Sequence, residues 1–256
     1  MVESIESKKK RAIEIIECLK KKFPEAGIEL HFKNQVELLV ATILSAQCTD
    51  KRVNMVTPSL FKKYKTVKDY ANANPKTFEK EIHSTGFFRA KAKNIIGCAK
   101  EIVKRFGGQV PNQMEDLVTL PGIGRKTANV ILGNIFDIPG LVVDTHMKRI
   151  ANRLGLTDKQ DPEKIEFALN EIVPKKDWTL FSHLIIWHGR RTCFARNPNC
   201  AQCTINTLCP SRGDVREVSV GLKTEIGEIG SGSPGDRCFV KGDMCPSENR
   251  NRRSKR

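Results

Sequence analysis

Four cysteines, Cys193, Cys200, Cys203 and Cys209, stand in the spacing C-x6-C-x2-C-x5-C within seventeen residues. Four soft thiolates packed so closely in a reducing compartment are hard to explain without a metal. Tetrahedral sulfur ligation suits either zinc or an iron–sulfur cluster. The pairs differ from the two regular CxxC knuckles of a common zinc ribbon, which leans towards iron–sulfur while leaving both open. The loop between them holds Arg196, with Arg190 and Arg191 just before it. A metal-pinned loop of this kind can present cations to a DNA backbone with little helix around them. Ordinary surface charge is the plainer account of the same arginines.

A second constellation is the run LPGIGRKTANVIL at 120–132. Gly122 and Gly124 bracket one isoleucine at a break in an apolar pattern, and Arg125 and Lys126 follow where a new helix begins. Glycines at such a turn permit positive φ and remove side chains, so their amides can approach a phosphate closely. The following helix would aim its free N–H groups at the same anion. The whole reads as a helix–hairpin–helix grip on a DNA backbone, against the simpler reading of a plain αα-hairpin turn. For Lys126 the plain role is phosphate pairing, like Arg125. The sharper role is nucleophilic: at a helix N-terminus and beside a guanidinium, an ammonium loses ground to the neutral amine, which can attack a sugar carbon. Asp144, eighteen residues later at the head of an amphipathic segment, is a good N-cap. One helix and one loop separate the pair, so they can face each other across a cleft. An ionised carboxylate there can activate the nucleophile and stabilise an oxocarbenium-like sugar.

The elements that must position these residues are helical. Ile95, Ile96, Ala99, Ile102, Val103 and Phe106 recur at helical spacing and stop at Gly107-Gly108. Val143, Met147, Ile150, Ala151 and Leu154 do so before Gly155, and Trp178, Phe181, Leu184 and Ile185 before Gly189. Residues 36–44 are apolar on nearly every side and read as a buried helix. Strand-like alternation is confined to Val218, Val220 and Leu222. The body is therefore expected to be all-α, with short connections marked by Gly or Pro. After Ser211 the composition turns Gly/Ser-rich and then charged, which reads as a flexible appendage over 213–256 carrying Cys238 and Cys245.

The chain carries 44 Lys+Arg against 29 Asp+Glu, a net charge of +15. Only two units of that surplus fall after residue 212, so the folded part is basic and a polyanion is its natural partner. The N-terminus is charged from the start, with no apolar signal region, and no run approaches a membrane span. An intracellular protein with no membrane partner is expected, its nine cysteines reduced.

Taken in order, LLVATILSAQCTD, LPGIGRKTANVIL, VDTH and the four-cysteine array closely resemble the endonuclease III family of base-excision repair enzymes, over residues 14–209. The resemblance implies two helical domains flanking a DNA-binding cleft: a barrel over 27–138 with the helix–hairpin–helix, and a discontinuous domain of 1–26 and 139–212. It implies a [4Fe-4S] cluster on Cys193, Cys200, Cys203 and Cys209. Lys126 matches the family's nucleophile and Asp144 its catalytic carboxylate. Gln47 matches the residue that enters the space of an extruded nucleotide, and Phe87 falls at the intercalating wedge, often a leucine. Read alone, Gln47 would be a surface helix residue and Phe87 a core aromatic. Gly122, Gly124, Arg125, Arg190 and Arg196 complete the expected DNA contacts. The implied activity is a glycosylase with AP lyase function on duplex DNA bearing oxidised pyrimidines or abasic sites. It is expected to act as a monomer, in the cytoplasm or nucleoid if the cell is prokaryotic. The competing readings are a mismatch T/U glycosylase on the same scaffold and a non-catalytic DNA-binding module.

Overall fold

A computed structural model describes residues 3–213. The appendage expected over 213–256, with Val218, Val220, Leu222, Cys238 and Cys245, lies outside the described residues but for Gly213. Those residues form α-helices and short 3-10 turns, with no strand among them.

The chain opens with α1 (Ile5–Lys22), whose N-cap Ser4 accepts the Ser7 N–H at 3.2 Å. Then come α2 (Gln35–Leu44), α3 (Asp50–Lys63), α4 (Val67–Ala71), α5 (Pro75–Glu81) and the long α6 (Phe88–Phe106). The short α7 (Met114–Leu117), α8 (Arg125–Ile135), α9 (Thr145–Arg153), α10 (Pro162–Asn170) and α11 (Trp178–Arg191) complete the order. Side-chain caps start most of these helices: Asn34, Thr49, Thr66, Asn74, Asp144 and Asp161 each accept a first-turn amide. Gly107, left-handed at φ 62°, stops α6 where the periodicity ends.

Two apolar cores hold the helices. One is built by α2 to α8 around Leu38, Leu44, Leu60, Phe78, Ile95, Ile102 and Ile131. As its continuous hydrophobicity requires, α2 is buried from Leu38 through Leu44. The other joins α1 to α9, α10 and α11 around Ile15, Leu19, Met147, Ile150, Leu169, Phe181 and Ile185. Truncating a fully buried leucine or isoleucine in either costs ~2–5 kcal/mol. Polar ties knit the cores together. Trp187 Nε1 of α11 donates to Gly27 O at 2.9 Å, and Arg190 pairs with both Glu29 and Asp50.

One boundary differs from the sequence expectation. Gly189 does not mark the end of α11, which runs through it to Arg191. A Cβ there would stand 2.8 Å from His146 Nδ1 and 2.8 Å from Ile150 Cδ1. This glycine lets α9 and α11 approach closely and stops nothing.

Candidate active site

The 120–124 turn is seated on α6. Leu120 and Ile123 are buried, and Ile123 N–H donates to Leu120 O at 3.1 Å. Gly122 has φ 80°, and a Cβ on it would lie 2.8 Å from Asn94 Cβ of α6. Conformation and contact therefore both demand glycine there. Gly97, also on α6, lets Pro121 pack at 3.5 Å from where its Cβ would be. Gly124 is different. It is the N-cap of α8 in extended backbone, with nothing within 4 Å of where a Cβ would stand and no side chain to cap the helix. The first amides of α8 are thus left without a side-chain cap, at a turn whose Gly124 and Lys126 are exposed.

Arg125 and Lys126, adjacent in sequence, are put to opposite uses. Arg125 forks onto Glu166 of α10, with Nε to Oε2 at 2.8 Å and Nη2 to Oε1 at 2.9 Å, and stacks over Phe167 at 5.0 Å. The Glu166 pairing holds its guanidinium above the ordinary arginine range. The side chain expected beside a phosphate is here paired with a carboxylate of the second core. Lys126 is exposed and pairs with no carboxylate among the described residues.

Asp144 caps α9: its Oδ1 accepts the Met147 N–H at 2.8 Å, the one side-chain bond it makes among the described residues. Oδ2 remains available. The connection that delivers Asp144 is clamped along its length. Asn129 Nδ2, one turn beyond Lys126 on α8, donates to Leu141 O at 2.9 Å. Val142 N–H donates to Ser182 Oγ of α11 at 2.8 Å. Gly140 lies so close to Asn129 that a Cβ would meet its backbone O at 3.0 Å. Asp144 follows three residues after Leu141, in extended backbone. His146 packs beside it, and burial holds its imidazole below the ordinary histidine value although Asp144 works the other way.

Gln47 and Phe87 are neither a helix residue nor a core residue. Gln47 is exposed in the turn after α2 with φ 52°, and Phe87 precedes α6 with φ 47° and is 66% exposed. The neighbouring Phe88 packs against the core in its place.

The four cysteines line one apolar cavity with Ile150, Leu154 and Ile205. Burial is the chief cause that pushes the Cys203 and Cys209 thiols up. Among the described residues no three His, Cys, Asp or Glu side chains converge closely enough to hold a single metal ion. Four cysteines lining one apolar cavity are the all-sulfur donor set that an iron–sulfur cluster takes. Two arginines of α9 hold the loop's entry. Arg153 donates to Cys193 Sγ at 3.3 Å and Phe194 O at 2.7 Å, and Arg149 to Cys193 O at 2.9 Å. Arg196, further along, is exposed and makes no ion pair among the described residues. Arg190, expected to face DNA, is engaged by Glu29 and Asp50.

Sequence reasoning passed over Asn94, Asn129 and Glu166. Asn129 recurs on the inner face of α8, but nothing local marks its partner. Glu166 lies forty-one residues from the arginine it holds.

A family model described as HhH-GPD superfamily base excision DNA repair protein matches residues 40–175. The chain is 52% identical over 212 residues to an endonuclease III of Synechocystis sp., covering 82% of this chain and 97% of that one. Among solved structures it is similar to a non-covalent endonuclease III–DNA complex, with TM-score 0.77, 39% identity, and coverage of 80% of this chain and 97% of the other. The same values hold for a trapped endonuclease III–DNA covalent intermediate, an estranged-adenine complex.

Proposed function

The chain belongs to the endonuclease III family of base-excision repair enzymes, and from that premise we propose which of its residues carry the reaction. The protein is a bifunctional DNA glycosylase and AP lyase, and its substrates are duplexes with oxidised pyrimidines or abasic sites. The observation that carries the residue assignment is a pair of half-used groups. Lys126 is an exposed amine at an uncapped helix N-terminus, while Asp144 spends one carboxylate oxygen on its cap and keeps the other. The clamped connection from Asn129 to Leu141 holds them on neighbouring elements.

The damaged nucleotide leaves the stack first, because its C1′ is out of reach inside the duplex. Gln47 and Phe87 occupy the space it vacates, Phe87 as an aromatic wedge. The open amides at Gly122, Gly124 and the head of α8 receive a backbone phosphate, and Arg196 another. Arg125 and Arg190 brace the lobes on either side. Lys126 Nζ then bonds to C1′ as the C1′–N bond to the base breaks and the base departs with the electron pair. Asp144 stabilises the positive charge that develops on the sugar. The amine gives up a proton and the C1′–O4′ bond breaks as O4′ takes a proton up, opening the sugar to a C1′ iminium that makes the C2′ hydrogen acidic. Its removal expels the 3′ phosphate by β-elimination, cutting the strand 3′ to the lesion.

Family members carry a [4Fe-4S] cluster, and the cavity lined by Cys193, Cys200, Cys203 and Cys209 suits one. Cys193, Cys200, Cys203 and Cys209 would hold it, and it would supply a single cross-link between their thiolates. Arg149 and Arg153 fix the loop from its other side, and the loop presents Arg196. No helix among the described residues is long and apolar enough to cross a membrane. The reading puts the protein's work on chromosomal DNA inside the cell.

Incubation with a thymine glycol duplex, followed by borohydride, should give a covalent protein–DNA complex that Lys126→Gln abolishes. Wild-type protein that binds this duplex and an abasic duplex yet traps with neither would overturn the lyase assignment.

A further inference from the structure

Lys91 is a lysine out of place. It sits on α6 within the run FRAKAKN, where neighbouring cations are solvated, yet it is only 4% exposed. Its Nζ donates to Leu44 O at 2.8 Å and to Thr85 O at 2.7 Å. Leu44 is the last residue of α2 and Thr85 the last of the 3-10 turn before α6. Neither carbonyl receives a backbone N–H among the described residues. Both are helix-end groups carrying partial negative charge, which is where a cation is favoured. A methionine would spare the cost of burying an ammonium but leave both carbonyls without a donor, so stability alone does not say what the charge is for.

The residues just beyond those two carbonyls give the charge a use. Three residues after Leu44 comes Gln47, and two after Thr85 comes Phe87, both exposed and both left-handed. Lys91 also donates its own backbone N–H to Phe87 O at 3.0 Å. One residue is thus bonded to the roots of both tips. We propose that Lys91 is a positioning residue: its buried ammonium bolts the two tips together, so that Gln47 and Phe87 enter the duplex at a fixed separation. This rests on the insertion role of those two side chains.

The consequence is specific to duplex substrates. Extruding a base from a stack requires both tips to arrive in register, and a small misplacement of inserting groups is costly. An abasic site in a single strand has no stack to open. There only Lys126 and Asp144 are needed, and they stand on other helices.

The experiment uses the full-length protein with its cluster and compares wild type, Lys91→Met and Lys91→Gln. The glutamine keeps an amide donor group without the charge and serves if the methionine variant does not fold. Base release from a thymine glycol duplex should fall by about 10- to 100-fold, while borohydride trapping on a single-stranded abasic oligonucleotide changes by no more than about twofold. A 2-aminopurine placed beside the lesion should brighten less in the variants, reporting weaker unstacking. Equal losses on both substrates, or no loss on the duplex, would overturn the proposal. Phe87→Ala and Gln47→Ala serve as controls for the premise. If they leave duplex activity intact, the insertion reading fails. If they impair it while Lys91→Met does not, the positioning role alone fails.

Discussion

At the hairpin, the left-handed residue is Gly122 at φ 80°; at the two tips, the left-handed residues are Gln47 and Phe87, at 52° and 47°. The backbone region is the same and the choice of residue is opposite. At the hairpin nothing must protrude. Asn94 fills the space below Gly122, and empty space lies over Gly124, so a partner can reach the amides themselves. At the tips a side chain must be displayed, and the chain accepts a strained conformation to display it. An L-residue in this region costs ~1–2 kcal/mol, which something must hold in place. The bonds of Lys91 to Leu44 O, Thr85 O and Phe87 O supply that hold. A glycine in such a region marks access to backbone, whereas a bulky exposed residue there marks a side chain put to use.

The contrast can be broken most severely at Gly124. Its extended backbone suits an aspartate without strain, and an Asp cap in place of glycine should stabilise α8 by about 0.3 kcal/mol. The same carboxylate would stand where the phosphate is received, and like-charge juxtaposition there costs several kcal/mol. Gly124→Asp should therefore leave the melting temperature unchanged or slightly higher while weakening affinity for an abasic duplex by on the order of 100-fold. Unchanged affinity would remove the phosphate from this turn. The converse exchange is Phe87→Gly. Glycine relieves the left-handed strain, so stability should hold or rise by up to ~1 kcal/mol. Excision from duplex DNA should fall about tenfold or more, because the wedge is gone. A variant that loses stability and keeps its rate would make Phe87 a structural residue after all.

How far the sequence shows these features depends on whether their cause is local. The hairpin was legible because Pro121, Gly122 and Gly124 act on their own backbone. The helix ends at Gly107 and Asp144 were legible for the same reason, and the apolar run at 36–44 announced its burial. Gly189 misled because local rules make a lone glycine a stop signal, while here it serves the packing of His146 from another helix. Gln47 and Phe87 carry no local mark, since neither residue type favours positive φ; only the family resemblance drew attention to them. Lys91 reads as one more solvated cation until the ends of α2 and the 3-10 turn are brought to it. Arg125 shows the limit most sharply. Its position beside Lys126 suggested a phosphate, and the partner that claims it lies in a different helix.

Two smaller effects sharpen the comparison from the hairpin's side. Gly122→Ala meets both a left-handed φ and the side chain of Asn94, so a loss of ~1–3 kcal/mol is expected on thermal or urea unfolding. Lys126 trapping on abasic DNA should weaken with it, because the turn that carries the head of α8 has moved. Truncating Asn94 to glycine, which removes the Cβ that the new methyl meets at 2.8 Å, should make the Gly122→Ala exchange less costly. No recovery would assign the whole effect to φ.

Glu166→Gln tests the brace behind the hairpin. The amide keeps a hydrogen bond to Arg125 but gives up the charge of a nearly buried carboxylate whose partner is itself partly exposed, with side-chain exposures of 8% and 36%. Solvent screening on the arginine side keeps the expected loss to ~1 kcal/mol. With Arg125 acting as a brace between α8 and α10, affinity for an abasic duplex should keep its salt dependence. Freeing the guanidinium from Glu166 could instead add one phosphate contact and steepen the slope of log K against log salt by about one unit. A steeper slope would mean that Arg125 stands within reach of the backbone and that Glu166 holds it back. An unchanged slope with a lower melting temperature would leave Arg125 a brace, and Lys126 the cation of the pair that meets DNA.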